Sequence, residues 1–143
     1  MNKTSNSPSI NFWIISSIAL VWNIMGVFAY LGQTFMSTEV LSSLPKAEQY
    51  YFSNMPAWVT AAFASAVFSG VFGSVGLLFR KKIAYILFSI SIITLLVHQA
   101  YNFFIQDYLE IIGIKLILPI STTIIGLYLY RYSAKMSKQG VLN

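Results

Sequence analysis

The chain has 143 residues, 57% hydrophobic and only 9% charged, with a net charge of +5 and no cysteine. A soluble domain carries roughly 25% charged residues, so this is the composition of a membrane protein, and disulfides, thiolate nucleophiles and Cys-ligated zinc are excluded. The positive balance does not point to nucleic acid, because Arg80, Lys81, Lys82, Arg131, Lys135 and Lys138 flank apolar stretches, where topology and anionic headgroups account for them.

Residues 1–11 read as a polar tail, with Lys3 and Pro8 among Ser, Asn and Thr. The first apolar helix is expected over about 12–36; it is longer than a signal-peptide core and is read as uncleaved. The following outer loop carries Glu39, Lys46 and Glu48. Pro45 is placed to start a short helix through Tyr51, with Ser43 as its candidate cap. Tyr50, Tyr51 and Phe52 would let that amphipathic helix lie on the bilayer surface. Pro56 opens a second helix over 57–79, with Trp58 at the interface.

A third helix is expected over 83–106, a charge-free stretch worth about 36 Å at 1.5 Å per residue, enough for a 30 Å hydrocarbon core. The fourth is harder to fit, because the uncharged stretch 116–130 gives only about 22 Å. It is therefore expected over 110–131, drawing Lys115 into the membrane edge, with 132–143 as a basic tail. Along the chain the flanking charges alternate: basic, acidic, basic, acidic, basic. Positive loops stay on the cytoplasmic side, so the expectation is an all-α membrane protein, a single domain of four transmembrane helices with both termini inside.

On the second helix Ala62, Ala66 and Gly70 lie four apart, with Gly73 beside them. Small residues at this spacing let backbones approach closely in lipid. They serve either a seam within the chain or a homo-oligomer contact.

The polar residues within the helices fall on stripes. Asn23, Gly26, Tyr30 and Gln33 share one face of the first helix, and Ser91, Thr94, His98, Tyr101 and Asn102 make a similar stripe on the third. With helices one and three both rising outward, Tyr30, Gln33, His98, Gln99 and Asn102 lie in the outer half, where Trp58 begins the second helix and Lys115 enters the fourth. Buried polar groups in hydrocarbon are costly unless paired, and intramembrane ionisable residues mark functional sites. The expected site is a polar pocket open to the outside, formed by Trp22, Asn23, Tyr30, Gln33, Trp58, His98, Asn102 and Lys115. Aromatic faces would stack a ligand, amides would orient it, and His98 or Lys115 would supply a proton or counter-charge.

Enzyme readings fare badly. A single histidine without cysteine or an intramembrane acid builds no usual zinc or di-iron site, and no nucleophile has an evident base and orienter. No catalytic residue, metal or cofactor is expected.

The stretch Val21-Trp-Asn-Ile-Met-Gly-Val-Phe-Ala-Tyr-Leu, with Met55-Pro-Ala-Trp-Val-Thr-Ala-Ala-Phe-Ala and Leu78-Phe-Arg-Lys-Lys-Ile-Ala, resembles a family of small bacterial four-helix integral membrane proteins. Some of its members carry the label sugar transporter. The likeness covers about 22–104, and by topology alone the chain is also similar to DoxX-like proteins. The resemblance implies a bacterial inner-membrane location and a sugar as possible ligand. The expected function is binding or transport of a small polar solute; the alternative is a non-catalytic membrane subunit or assembly protein whose polar stripes are structural.

Overall fold

A computed structural model describes residues 7–143; Lys3 and most of the polar tail lie outside the described residues. Four helices are long and apolar enough to cross a membrane: Ile10–Thr34, Ala57–Leu78, Ile83–Ile105 and Gly113–Lys138. The described residues contain no strand. Helix α1 (Ile10–Thr34) opens on Ser9, whose hydroxyl accepts from the Phe12 amide, an N-cap of the usual kind.

The loop between the first two spans holds two short helices where one was expected, α2 (Thr38–Ser43) and α3 (Lys46–Ser53). Ser43 does not cap α3. Its hydroxyl bonds back to the Val40 carbonyl, and α3 starts from Pro45 without a side-chain cap.

Helix α4 (Ala57–Leu78) is the centre of the bundle, packed against α1 on one side and α5 (Ile83–Ala100) on the other. Its small residues are the reason. A side chain at Gly73 would press on the Phe88 ring, and one at Gly76 on Ala84. Ala62, Ala66, Gly70 and Gly73 are all buried, so this stripe forms a seam within the chain.

After Ala100 the third span continues as a π-helix, Tyr101–Ile105, closed by the Gln106 amide on the Tyr101 carbonyl at 3.0 Å. Tyr101 and Asn102, the first two residues of this wider turn, are both buried.

The fourth span differs most from expectation. It begins with a 3-10 turn, Gly113–Leu116, and continues as α6 (Ile117–Lys138), so it starts later than 110 and runs past Arg131. Lys115 sits exposed in the opening 3-10 turn. At the far end Lys135 and Lys138 occupy the last turn, where cations meet the negative end of the helix dipole. That compensation lets the helix extend beyond the apolar stretch.

The two ends of the bundle are built differently. At the end carrying Arg80–Lys82, both α4 and α6 finish in the same left-handed stop. Arg80 (φ +56°) and Gly140 (φ +73°) are the turning residues. Lys81 bonds to Gly76 and Val141 to Met136 through the backbone, the six-to-one bond of a Schellman motif. The chain past Gly140 then folds onto the turn between α4 and α5. The Asn143 amide donates to the Arg80 carbonyl at 2.6 Å, the Lys82 amide to the Asn143 carbonyl, and Arg80 Nε to the Val141 carbonyl. Val141 and Leu142 thereby join a buried cluster with Phe12, Leu77, Phe88 and Leu129, and Phe12 stacks on Tyr132 across α1 and α6. This basic end is sealed.

Candidate functional site

Helices α1, α4, α5 and α6 pack in that order, but no comparable seam joins α6 back to α1. Between them lies a chamber of about 450 Å³, within the range of small-molecule pockets. Helix α1 contributes Trp22, Asn23, Met25, Gly26, Ala29 and Gln33 to its wall, and α6 contributes Leu118, Pro119, Thr122, Ile125, Gly126 and Leu129. Phe63, Ala66 and Val67 of α4 and Phe88, Ser91, Leu95, His98 and Gln99 of α5 form the back, with Asn102 above them. Met25 is 60% exposed and Leu118 66%, so the chamber opens sideways between α1 and α6. Towards the basic end it closes on Phe88 and Leu129 of the sealed cluster.

Of the eight expected site residues, Trp22, Asn23, Gln33, His98 and Asn102 line this chamber, while Tyr30, Trp58 and Lys115 do not. Tyr30 packs edge-on against Phe63 and Phe68, because its position on α1 turns it towards α4. Trp58 meets the Tyr101 ring edge-on at 5.7 Å. Lys115 stays outside, since α6 starts too late to carry it inward. The sequence stripes missed the α6 wall, where Thr122 is the polar member; its spacing from Gly126 was the available signal.

The polar groups of the wall are largely bonded to one another. Asn23 Nδ2 donates to the Ala19 carbonyl at 2.8 Å and to Ser74 Oγ at 3.2 Å. Its carbonyl oxygen lies over Gly70, in the space that a Cβ there would occupy. Ser91 Oγ donates to the Ala66 carbonyl. Gln99 Nε2 reaches the Pro119 carbonyl and Thr122 Oγ1, joining α5 to α6. Gln33 Nε2 contacts Met55 Sδ at 3.1 Å and divides the chamber from a smaller hollow of about 160 Å³ beneath Phe52, Met55 and Thr60.

His98 is the exception. Tyr51 OH donates to Asn102 Oδ1 at 2.6 Å, which leaves the Asn102 amide nitrogen facing His98 Nδ1 at 3.3 Å. An amide nitrogen only donates, so Nδ1 accepts and the proton of the neutral imidazole sits on Nε2. That N–H is buried and has no partner. The ring is held against Phe63, stacked at 4.8 Å between centroids. Burial, and then the neighbouring Tyr101, push the Tyr51 phenol from 10.0 up to about 12, so it stays protonated and able to donate to Asn102. Among the described residues no group of histidine, aspartate and glutamate is arranged to hold a metal.

Fold and chamber together give four helices long and apolar enough to cross a membrane, with a space of about 450 Å³ between them. No family model, curated protein or solved structure matches the chain, and function has to be argued from the site itself.

Proposed function

We propose that this protein resides in a bacterial inner membrane with both termini in the cytoplasm and binds a small solute bearing a polar group in the chamber between α1 and α6, holding it or passing it on. Charge supports this orientation: Arg80, Lys81, Lys82, Arg131, Lys135 and Lys138 gather at one end, while the other carries Glu39, Glu48, Asp107 and Glu110 with only Lys46 and Lys115. Positive segments resist translocation. The chamber then sits towards the outer face, beneath α3, whose exposed Tyr50 suits a helix resting on the lipid surface.

The observation that carries the binding reading is the buried, unpartnered N–H of His98, a residue of the chamber's lining. A buried donor without an acceptor costs about 1–3 kcal/mol, and a ligand acceptor removes that cost. Crystals pressurised with xenon test the space, since xenon enters apolar cavities large enough to hold it. Xenon should appear between Trp22, Leu95 and Ile125, and be lost in Ala29→Trp. A solid interior, with no xenon in the wild type, would refute the reading.

A second reading has its own support. The bonds from Asn23 to Ser74, Ser91 to Ala66 and Gln99 to Thr122 each join two helices, as they would in a subunit whose polar stripes only hold the bundle. It predicts that His98 can be replaced without any change in ligand occupancy.

A further inference from the structure

We infer that the ligand is a neutral amphiphile, an apolar body carrying a hydrogen-bond acceptor, which enters from the bilayer through the gap between α1 and α6. This rests on the proposed chamber function and specifies its chemistry. Three observations carry it.

The first is the absence of charge. None of the described residues lining the chamber is an aspartate, glutamate, lysine or arginine. A charged ligand in such a space would lose its hydration with no counter-ion, a cost of several kcal/mol even after relaxation.

The second is the state of the polar groups. A sugar brings several hydroxyls, each needing a partner when buried. Here Asn23, Ser91, Gln99 and Thr122 spend their donors on other protein atoms, which leaves a few amide oxygens, the Trp22 indole and the fully shielded donor His98 Nε2, too few to partner every hydroxyl of a sugar. One carbonyl, ether or hydroxyl oxygen would satisfy that donor. Nε2 is shielded by its neighbours, so an acceptor reaches it only as the imidazole leaves its stack on Phe63. The remaining surface, from Met25 and Ala29 to Leu95, Leu118 and Ile125, is apolar and suits a hydrocarbon body.

The third is the route. The chamber's exposed lips, Met25 on α1 and Leu118 on α6, both belong to spanning helices, so the opening faces lipid. Towards the loops Gln33 and Met55 stand across the way, and the other end is sealed by Phe12 and Tyr132. A molecule dissolved in the bilayer meets the site without crossing water.

The test is photolabelling of the full chain in lipid nanodiscs with a monoacylglycerol carrying a diazirine in its acyl chain. Two comparators are used: an alkyl sulfonate bearing the same diazirine chain, and methyl glucoside as competitor. Adducts of the neutral probe should concentrate on the α1 segment 22–33 and the α6 segment 118–129. His98→Phe should lower that labelling about tenfold, the loss of roughly one hydrogen bond. Ala29→Trp, or Leu118→Trp on the opposite lip should Ala29→Trp fail to fold, should remove it. Equal labelling by the sulfonate, protection by methyl glucoside, or adducts spread evenly over all lipid-facing helices would each overturn the inference. Xenon between Trp22 and Ile125 together with any of those outcomes would leave the chamber standing and only its ligand class wrong.

Discussion

The seam between α4 and α5 and the gap between α1 and α6 sit in the same bundle, at overlapping depths, and are opposite solutions to packing in lipid. At the seam glycine and alanine bring two backbones together, so that Gly73 lies against the Phe88 ring and Gly76 against Ala84. Across the gap stand Trp22, Met25, Leu118 and Ile125, while the small residues Gly26 and Gly126 are spent on Val67 of α4 and Ile92 of α5. Lipid tails are as apolar as these side chains, so no hydrophobic force pulls such faces together and close association depends on small residues and hydrogen bonds. A bundle whose small residues are concentrated on one helix closes there and stays open opposite.

That contrast can be broken at the seam with the largest effect. Gly73→Val should cost about 3 kcal/mol by overpacking, because even its Cβ would lie 3.2 Å from three atoms of the buried Phe88 ring. Unfolding from mixed micelles would read this; a wild-type-like midpoint would show that the seam is looser than its geometry. Next is the sealed end, where Leu142 is 1% exposed. Leu142→Ala should cost about 2 kcal/mol, at the low end for a buried leucine because a terminal segment can settle into the space left.

The loop above the chamber comes third. Tyr51→Phe leaves Asn102 Oδ1 without its donor and should cost about 1 kcal/mol. Because the folded phenol titrates near 12 against 10.0 in the unfolded chain, its contribution is complete below pH 10 and is lost as the pH rises through about 12. Helicity followed against pH should therefore fall earlier in the wild type than in Tyr51→Phe; identical profiles would mean that Tyr51 does not hold Asn102. The smallest effect on stability belongs to the gap itself. His98→Phe removes an unpartnered donor but also the acceptor of Asn102, and the two should cancel to within about 1 kcal/mol. A large loss of stability there would make His98 a structural residue and weaken the ligand reading.

Much of the fold was legible in the residues because its causes are local. Four apolar stretches separated by charges dictate four helices, since a backbone in hydrocarbon must satisfy itself by helical bonding. Boundaries given by Pro56 and by the Arg80–Lys82 turn came out within a residue or two. The fourth helix did not, because its start depends on Gly113 and a 3-10 turn, and its end on Gly140 and the docking of Val141 and Leu142. The site was legible in part. Helical spacing put Asn23, Gln33, His98 and Asn102 on inward faces, but the same spacing placed Tyr30 with them, and only the neighbour it packs on separates the two outcomes.

By itself, then, the sequence determined the class of protein and the helical pattern, because hydropathy, charge and the 3.6-residue repeat act within one helix at a time. Which helices touch, and which leave a space between them, was decided by tertiary structure. The chamber is a property of two faces that do not meet, and neither α1 nor α6 carries a residue that says so alone. Even the surroundings of His98 come from a distant element: Tyr51 of α3 meets Asn102, and Asn102 meets the imidazole.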